Sequence, residues 1–200
     1  MKRVMCIVSG AVLTASVAFA QPPAQGKVGI ALALQNGYSQ AKMNLVSGLE
    51  KLSEADYSFK PTPDIRSYGA LFTHVADAHY QICAGAKGVP NPIQGTSLER
   101  TKTTKADVVK ALNDSFAFCD DAFSALTDES ANQFMAAGRG GEQSKAAILL
   151  NLIAHDNEMY GISTVYQRLK AAVPPSTERQ GQRGRGGAGG GQGAPPQRGN

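Results

Sequence analysis

Tryptophan is absent from this sequence, and aromatic residues make up only 6% of it. Other absences are more telling. No apolar run reaches the roughly 20 residues that a bilayer-spanning helix needs, so no membrane span is expected. No stretch alternates apolar and polar residues as a half-buried strand does, which removes sheet-based folds. There is no G-x-S-x-G elbow for a serine hydrolase. There is no P-loop and no dinucleotide fingerprint, so nothing points to nucleotide chemistry. Asp120 and Asp121 are neighbours, so on a helix they face different sides and read as solvated surface, not as an acid–base pair.

The positive charge is also less than it looks. The formal net charge is +4, but Lys2 and Arg3 lie at the start of the chain, and Arg179, Arg183, Arg185 and Arg198 outweigh Glu178 near its end. The stretch between them carries a net charge of −1. The basic pI is therefore no argument for nucleic acid as a partner. From Ser176 onward the chain holds nine of its 22 glycines and no large apolar residue. Residues 176–200 are expected to be a disordered Gly/Arg/Pro-rich tail, because such a segment cannot bury enough surface to order itself.

The N-terminus has two cations, a short apolar run from Val4 to Val17, and Ala18-Phe19-Ala20 before Gln21. That pattern predicts a signal peptide over residues 1–20 and a periplasmic or secreted protein. The alternative is a buried first helix. Cys6 lacks the small-residue context of a lipid anchor and would leave with the leader. Cys83 and Cys119 would then be the two cysteines of an exported chain, and one disulfide is expected between them. It would close a loop of about 37 residues, worth roughly 4 kcal/mol by the chain-entropy argument. The alternative is two free, buried thiols.

Residues 21–175 are expected to form one domain. Four segments have helical periodicity. The first runs from about Gly26 to Leu52, with Leu34, Tyr38, Leu45 and Leu49 on one stripe. The second starts after Ser67, a plausible N-cap, with Leu71, Val75, Ala78 and Ile82 inward. The third begins at Thr104, which opens a capping box with Asp107, and buries Val108, Leu112, Ser115 and Cys119. The fourth runs from about Ser144 to Lys170, with Ile148, Leu152, His155, Met159, Ile162, Tyr166 and Leu169 on one face. Four amphipathic helices of this length make an all-α four-helix bundle.

Four pieces of sequence carry a resemblance to a known family. They are Asp56-Tyr-Ser-Phe-Lys-Pro-Thr-Pro-Asp64, then Arg66-Ser-Tyr-Gly69 with Leu71 and His74, then Ser115-Phe-Ala-Phe-Cys-Asp120, and then His155-Asp-Asn-Glu-Met-Tyr-Gly161 leading through Val165-Tyr-Gln-Arg-Leu-Lys170 to Val173-Pro-Pro-Ser176. In this order and spacing, over about residues 26–176, the chain resembles the DinB-like superfamily, in particular its exported bacterial branch. The resemblance implies a DinB-like four-helix bundle that holds a divalent metal, zinc or nickel, with three histidines. One comes from the second helix and two from the last, at positions i and i+4. His74 matches the first and His155 the second. The third falls on Met159. Some relatives are thiol-dependent transferases or isomerases, and relatives often pair as homodimers through helix faces.

Met159 leaves three outcomes open. The metal position is vestigial and Met159 fills it apolarly. Or Glu158 supplies the missing ligand, although its direction around the helix differs from that of position 159 by about 100°. Or Met159 itself ligates, and two imidazoles with a thioether suit copper better than zinc. His79 is five residues beyond His74, a rotation of about 140°, and is expected on the surface. The functional hypotheses are a metal-dependent enzyme or its divergent descendant, a non-catalytic bundle that binds an unknown small molecule or partner, and a His/Met copper binder.

Overall fold

The computed structural model describes residues 26–137 and 141–187. The expected leader and its cleavage site lie outside the described residues, as do positions 188–200 of the tail.

Four long helices build the bundle: α1 (Ile30–Leu49), α2 (Tyr68–Lys87), α4 (Lys105–Ser124) and α6 (Lys145–Leu169). Between them are two single-turn helices, α3 (Leu98–Thr101) and α5 (Asp128–Ala131), and α7 (Pro175–Gly187) follows the bundle. In the bundle, α2 packs against α4 and α6, while α1 packs against α6 and α4 and lies diagonal to α2. None of the described helices is long and apolar enough to cross a membrane.

The helix starts follow from local chemistry. Ser67, Thr104 and Ser144 are N-caps, and each hydroxyl accepts from the amide three residues on, at Ala70, Asp107 and Ala147. Each cap satisfies one of the amides that a helix leaves unpaired at its start. The start of α1 has no cap of its own. The Asp128 carboxylate of α5 reaches across to accept from Ala31 N at 2.8 Å. A Cβ at Gly29 would push that carboxylate aside. α2 ends at Gly88, whose left-handed conformation (φ 66°) closes the last turn.

Phe and Tyr do the work of the missing Trp. Tyr68, Phe72, Phe116 and Phe123 are almost fully buried, and Tyr38 stacks on Phe123 with ring centroids 3.8 Å apart. Burying each such ring contributes about 1.5–3 kcal/mol. Cys83 and Cys119 are bonded, as a staple between α2 and α4, with their Cα atoms 5.4 Å apart.

Three features differ from what the sequence suggests. The polar, Gly-containing connection before α6 holds an antiparallel hairpin, β1 (Phe134–Ala137) with β2 (Gly141–Ser144). Its strands are four residues long, too short to show a period. The stripes of α2 and α6 are also borne out only in part: Leu71, Val75, Ile148, Leu152, Met159 and Tyr166 are buried as expected, but the fully buried lines pass one residue beyond Ala78, Ile82, His155 and Ile162. On α2 the fully buried line is Tyr68, Phe72, Val75, His79 and Cys83, and on α6 it is Leu149, Leu152, Asp156, Ser163 and Gln167. Ile162 and Leu169, expected inside, are exposed. Finally, residues 176–187 of the expected disordered tail belong to α7. External partners hold this helix. Ser176 exchanges two hydrogen bonds with the Tyr160 hydroxyl, Lys51 pairs with Glu178 at 2.7 Å, and the Arg179 guanidinium lies on the Asn44 side-chain oxygen.

The Cys83–Cys119 bond closes a loop across a sequence separation of 36 residues. Replacing both cysteines by alanine is therefore expected to lower unfolding stability by about 2–4 kcal/mol. Urea unfolding of the double variant checks this, and an unchanged midpoint would contradict it.

Candidate functional site

The one-residue displacement of the buried lines decides where each histidine goes. His79 sits on the central line of α2 and is fully buried, not on the surface as expected. His74 lies off that line, at the seam where α2 meets α6, with its side chain 31% exposed. On α6 the central line passes through Asp156, so its neighbour His155 also falls at the seam, with its side chain 20% exposed. The sequence places both imidazoles on inward faces. The structure instead brings them together at the edge of the core, where solvent can reach them.

The two rings meet edge to edge, with His155 Nε2 3.4 Å from His74 Nε2. Each Nδ1 faces a carboxylate. His74 Nδ1 is 3.5 Å from Glu99 Oε2, and the other Glu99 oxygen accepts from Arg66 Nε at 3.0 Å. His155 Nδ1 is 3.8 Å from Asp156 Oδ1 and has no hydrogen-bond partner. Burial, and then the charges of Arg66 and His155, hold the His74 imidazole below its ordinary pKa, which favours the neutral, ligand-competent form.

Behind the pair is a polar chain that sequence reasoning missed. His79 Nε2 is 2.9 Å from Asp156 Oδ1, and His79 Nδ1 is 3.0 Å from Ser115 Oγ. The Ser115 hydroxyl donates to Leu112 O at 2.8 Å, so it accepts from the His79 ring. Asp156, His79 and Ser115 are all fully buried. Burial pushes the Asp156 carboxyl up, but the His79 ring and the contacts from His155 outweigh it, and the group stays below the usual carboxylate range. The signal for this chain was available in one form only: His79 and Ser115 lie four residues before Cys83 and Cys119. A disulfide between the two cysteines therefore brings the histidine and the serine opposite one another.

Of the other predicted residues, Met159 is buried one turn beyond His155, while Glu158 is exposed. Among the described residues no group of three His, Cys, Asp or Glu side chains is placed to hold an ion. A cleft of about 560 Å³ opens beside the pair, bounded by Lys60, Arg66, Leu71, Glu99, Met159 and Tyr166.

The arrangement can offer two imidazole lone pairs to an electrophile, next to a space large enough for a small molecule. It cannot offer a serine nucleophile, since Ser115 is shut in the core. Removing His79 would leave the Asp156 charge buried without its partner. His79→Ala is expected to cost about 3–5 kcal/mol of stability. Chemical denaturation measures this, and a loss under about 1 kcal/mol would show that no unpaired charge remains buried.

The family description of the DinB superfamily matches residues 38–162. Solved structures resemble the chain over most of their own length. A DinB-like protein from Bacillus cereus ATCC 10987 is 18% identical, with a TM-score of 0.61, over 71% of this chain and 93% of that one. A conserved protein from Enterococcus faecalis is 14% identical, with a TM-score of 0.57, over 72% and 98%. A DinB-like protein from Bacillus subtilis is 18% identical, with a TM-score of 0.55, over 70% and 92%. At these identities the likeness is one of fold. Comparison with curated proteins gives no match.

Proposed function

The chain belongs to the DinB superfamily, and from that premise we propose that it is a metal-binding member with a two-histidine site, His74 and His155, and Met159 in the third place. One observation carries the reading. Both Nδ1 atoms face carboxylates, which favour protons there, and the two Nε2 atoms lie 3.4 Å apart, close enough to share one proton or one ion. Two lone pairs so placed repel unless a cation or a proton lies between them. The spacing matches the ligand edge of a tetrahedral site, about 3.3 Å for metal–nitrogen bonds of 2.0–2.1 Å. Carboxylates behind the ligand rings are the usual outer support of metal-bound histidine.

The donor set decides which ion suits the site. Zinc or nickel on three imidazoles does not fit, because the third place holds a thioether and Glu158 is exposed. Two imidazoles with a thioether form a softer set that suits copper. When bound, such an ion would polarise a substrate or activate a water or thiol. The protein's own residues would orient that substrate: Lys60 and Arg66 line the cleft together with the carboxylates of Asp64 and Glu99, and Leu71 and Met159 give it apolar wall. We also propose that the protein is exported to the periplasm or beyond. The leader-like N-terminus and the Cys83–Cys119 bond support this.

A second reading, a bundle that binds a small molecule without metal, is favoured by the buried, apolar Met159 and by the adjoining cleft. Elemental analysis of the purified protein before and after chelation separates the two. Retained copper that disappears in His74→Ala and His155→Ala supports the metal site. Protein that binds no metal, even when titrated with copper, sinks it and leaves the second reading. Met159→His is expected to raise zinc or nickel affinity by at least about tenfold, or about 1.4 kcal/mol. No gain would contradict the placement of position 159 as the third ligand.

A further inference from the structure

An aspartate with no exposure, set between two imidazoles, is costly to keep unless it acts on something. We propose that Asp156, held by His79 and Ser115, is a positioning residue for His155: it draws the His155 proton onto Nδ1 and leaves the Nε2 lone pair aimed at His74. In naming what that lone pair serves, the inference rests on the metal-site reading. Its geometric part stands apart from it.

The geometry has four parts. First, Asp156 Oδ1 is shared: it is 2.9 Å from His79 Nε2 and 3.8 Å from His155 Nδ1. Second, the two buried atoms left without partners in this region are complementary. His155 Nδ1 can donate and Asp156 Oδ2 can accept, and they belong to adjacent residues. At 3.8 Å no hydrogen bond is formed, yet the carboxylate's field still favours an N–H pointing toward it. Third, nothing else described competes for the His155 Nδ1 proton. Fourth, Asp156 has little freedom to turn away. His79 is fixed between Asp156 and Ser115, and one turn further along the same two helices the Cys83–Cys119 bond locks α2 against α4. Cys119 Sγ also lies 3.5 Å from the His79 carbonyl. The restraint thus runs from α4 through α2 to α6 and ends at the His155 ring, which meets His74.

A purely structural Asp156 would hold His79 and leave the His155 ring indifferent. The chain has only three histidines, so their imidazole nitrogens can be assigned by long-range ¹H–¹⁵N correlation on the metal-free protein at fixed neutral pH. The expected result is His155 as the Nδ1–H tautomer. In Asp156→Asn, which keeps the shape but removes the charge, it is expected to move toward the Nε2–H form that an unconstrained imidazole prefers. Copper affinity is expected to fall about 10–100-fold in that variant. Thermal melting of the same variant reports the structural cost separately.

If Asp156→Asn melts lower yet the His155 tautomer and copper affinity do not change, the positioning role is overturned. If the variant does not fold, the wild-type tautomer still decides: His155 as Nε2–H overturns the proposal, and Nδ1–H supports it. Protein that binds no copper but shows the Nδ1–H form and its loss in Asp156→Asn defeats the metal reading and leaves the positioning intact.

Discussion

The contact between His79 and Asp156 fixes how far α6 can slide along α2. Both side chains lie on the central line of their helix and are cut off from water. Neither can satisfy itself except with the other and with Ser115. A shift by one turn, about 5.4 Å, would break the pair and leave a charge in a dry interior. With that register set, His74 and His155 have no choice about meeting. Each sits at the same edge of the same seam, His155 next to Asp156 in the chain and His74 five residues before His79. The order of causes therefore runs outward: the core polar chain sets the register, the register sets the seam, and the seam sets the two rings at the cleft's margin.

This is an unusual way to fill a bundle core. The central line of α6 includes Asp156, Ser163 and Gln167, all fully buried. Each needs a partner. Ser163 returns its hydroxyl to Tyr160 O at 2.7 Å. Gln167 Nε2 reaches Gly48 O and the Tyr68 hydroxyl, at 3.3 and 3.1 Å. Apolar residues would give more burial energy at these positions, but they would allow neighbouring registers. Buried polar groups that bond only in one alignment exclude the others. Gln167 thus ties α6 to both α1 and α2 near one end of the bundle, and Asp156 ties it to α2 near the middle. The disulfide adds the α2–α4 edge.

The same polar line explains what the sequence could and could not show. Helix starts were legible because a cap is local: Ser67 and Thr104 need only the amide three residues on. The four long helices and the cysteine pair were legible for related reasons of period and number. The inward face of α6 was legible at Ile148, Leu152, Met159 and Tyr166 but not at Asp156, Ser163 and Gln167, because hydrophobic periodicity follows apolar residues. Following the apolar ones draws the stripe through His155 and Ile162, one residue away from Asp156 and Ser163. The same displacement on α2 sends His79 to the surface when it belongs at the centre. Of the candidate site, His74 and His155 were legible through the family pattern and Ser115 as an inward residue, whereas the burial of His79 and Asp156 and their contact emerge from the packing of the helices. The helix α7 was hidden for another reason. Its own composition argues against order, and what holds it is Tyr160, Lys51 and Asn44, all distant in sequence.

Replacing a third histidine by methionine does not undo the rest of this construction. The two imidazoles keep their Nε2 atoms 3.4 Å apart, a spacing that either a shared proton or a bound cation satisfies. Each ring has a carboxylate at its back, and each carboxylate is itself held, Glu99 by Arg66 and Asp156 by His79. That support favours protons on the Nδ1 atoms, the arrangement the proposed metal-site reading needs. Met159, buried one turn beyond His155, carries a polarisable sulfur that a leucine there would lack. On the proposed reading, methionine at this position moves the chemical preference toward soft ions and leaves the carboxylate support of both rings in place.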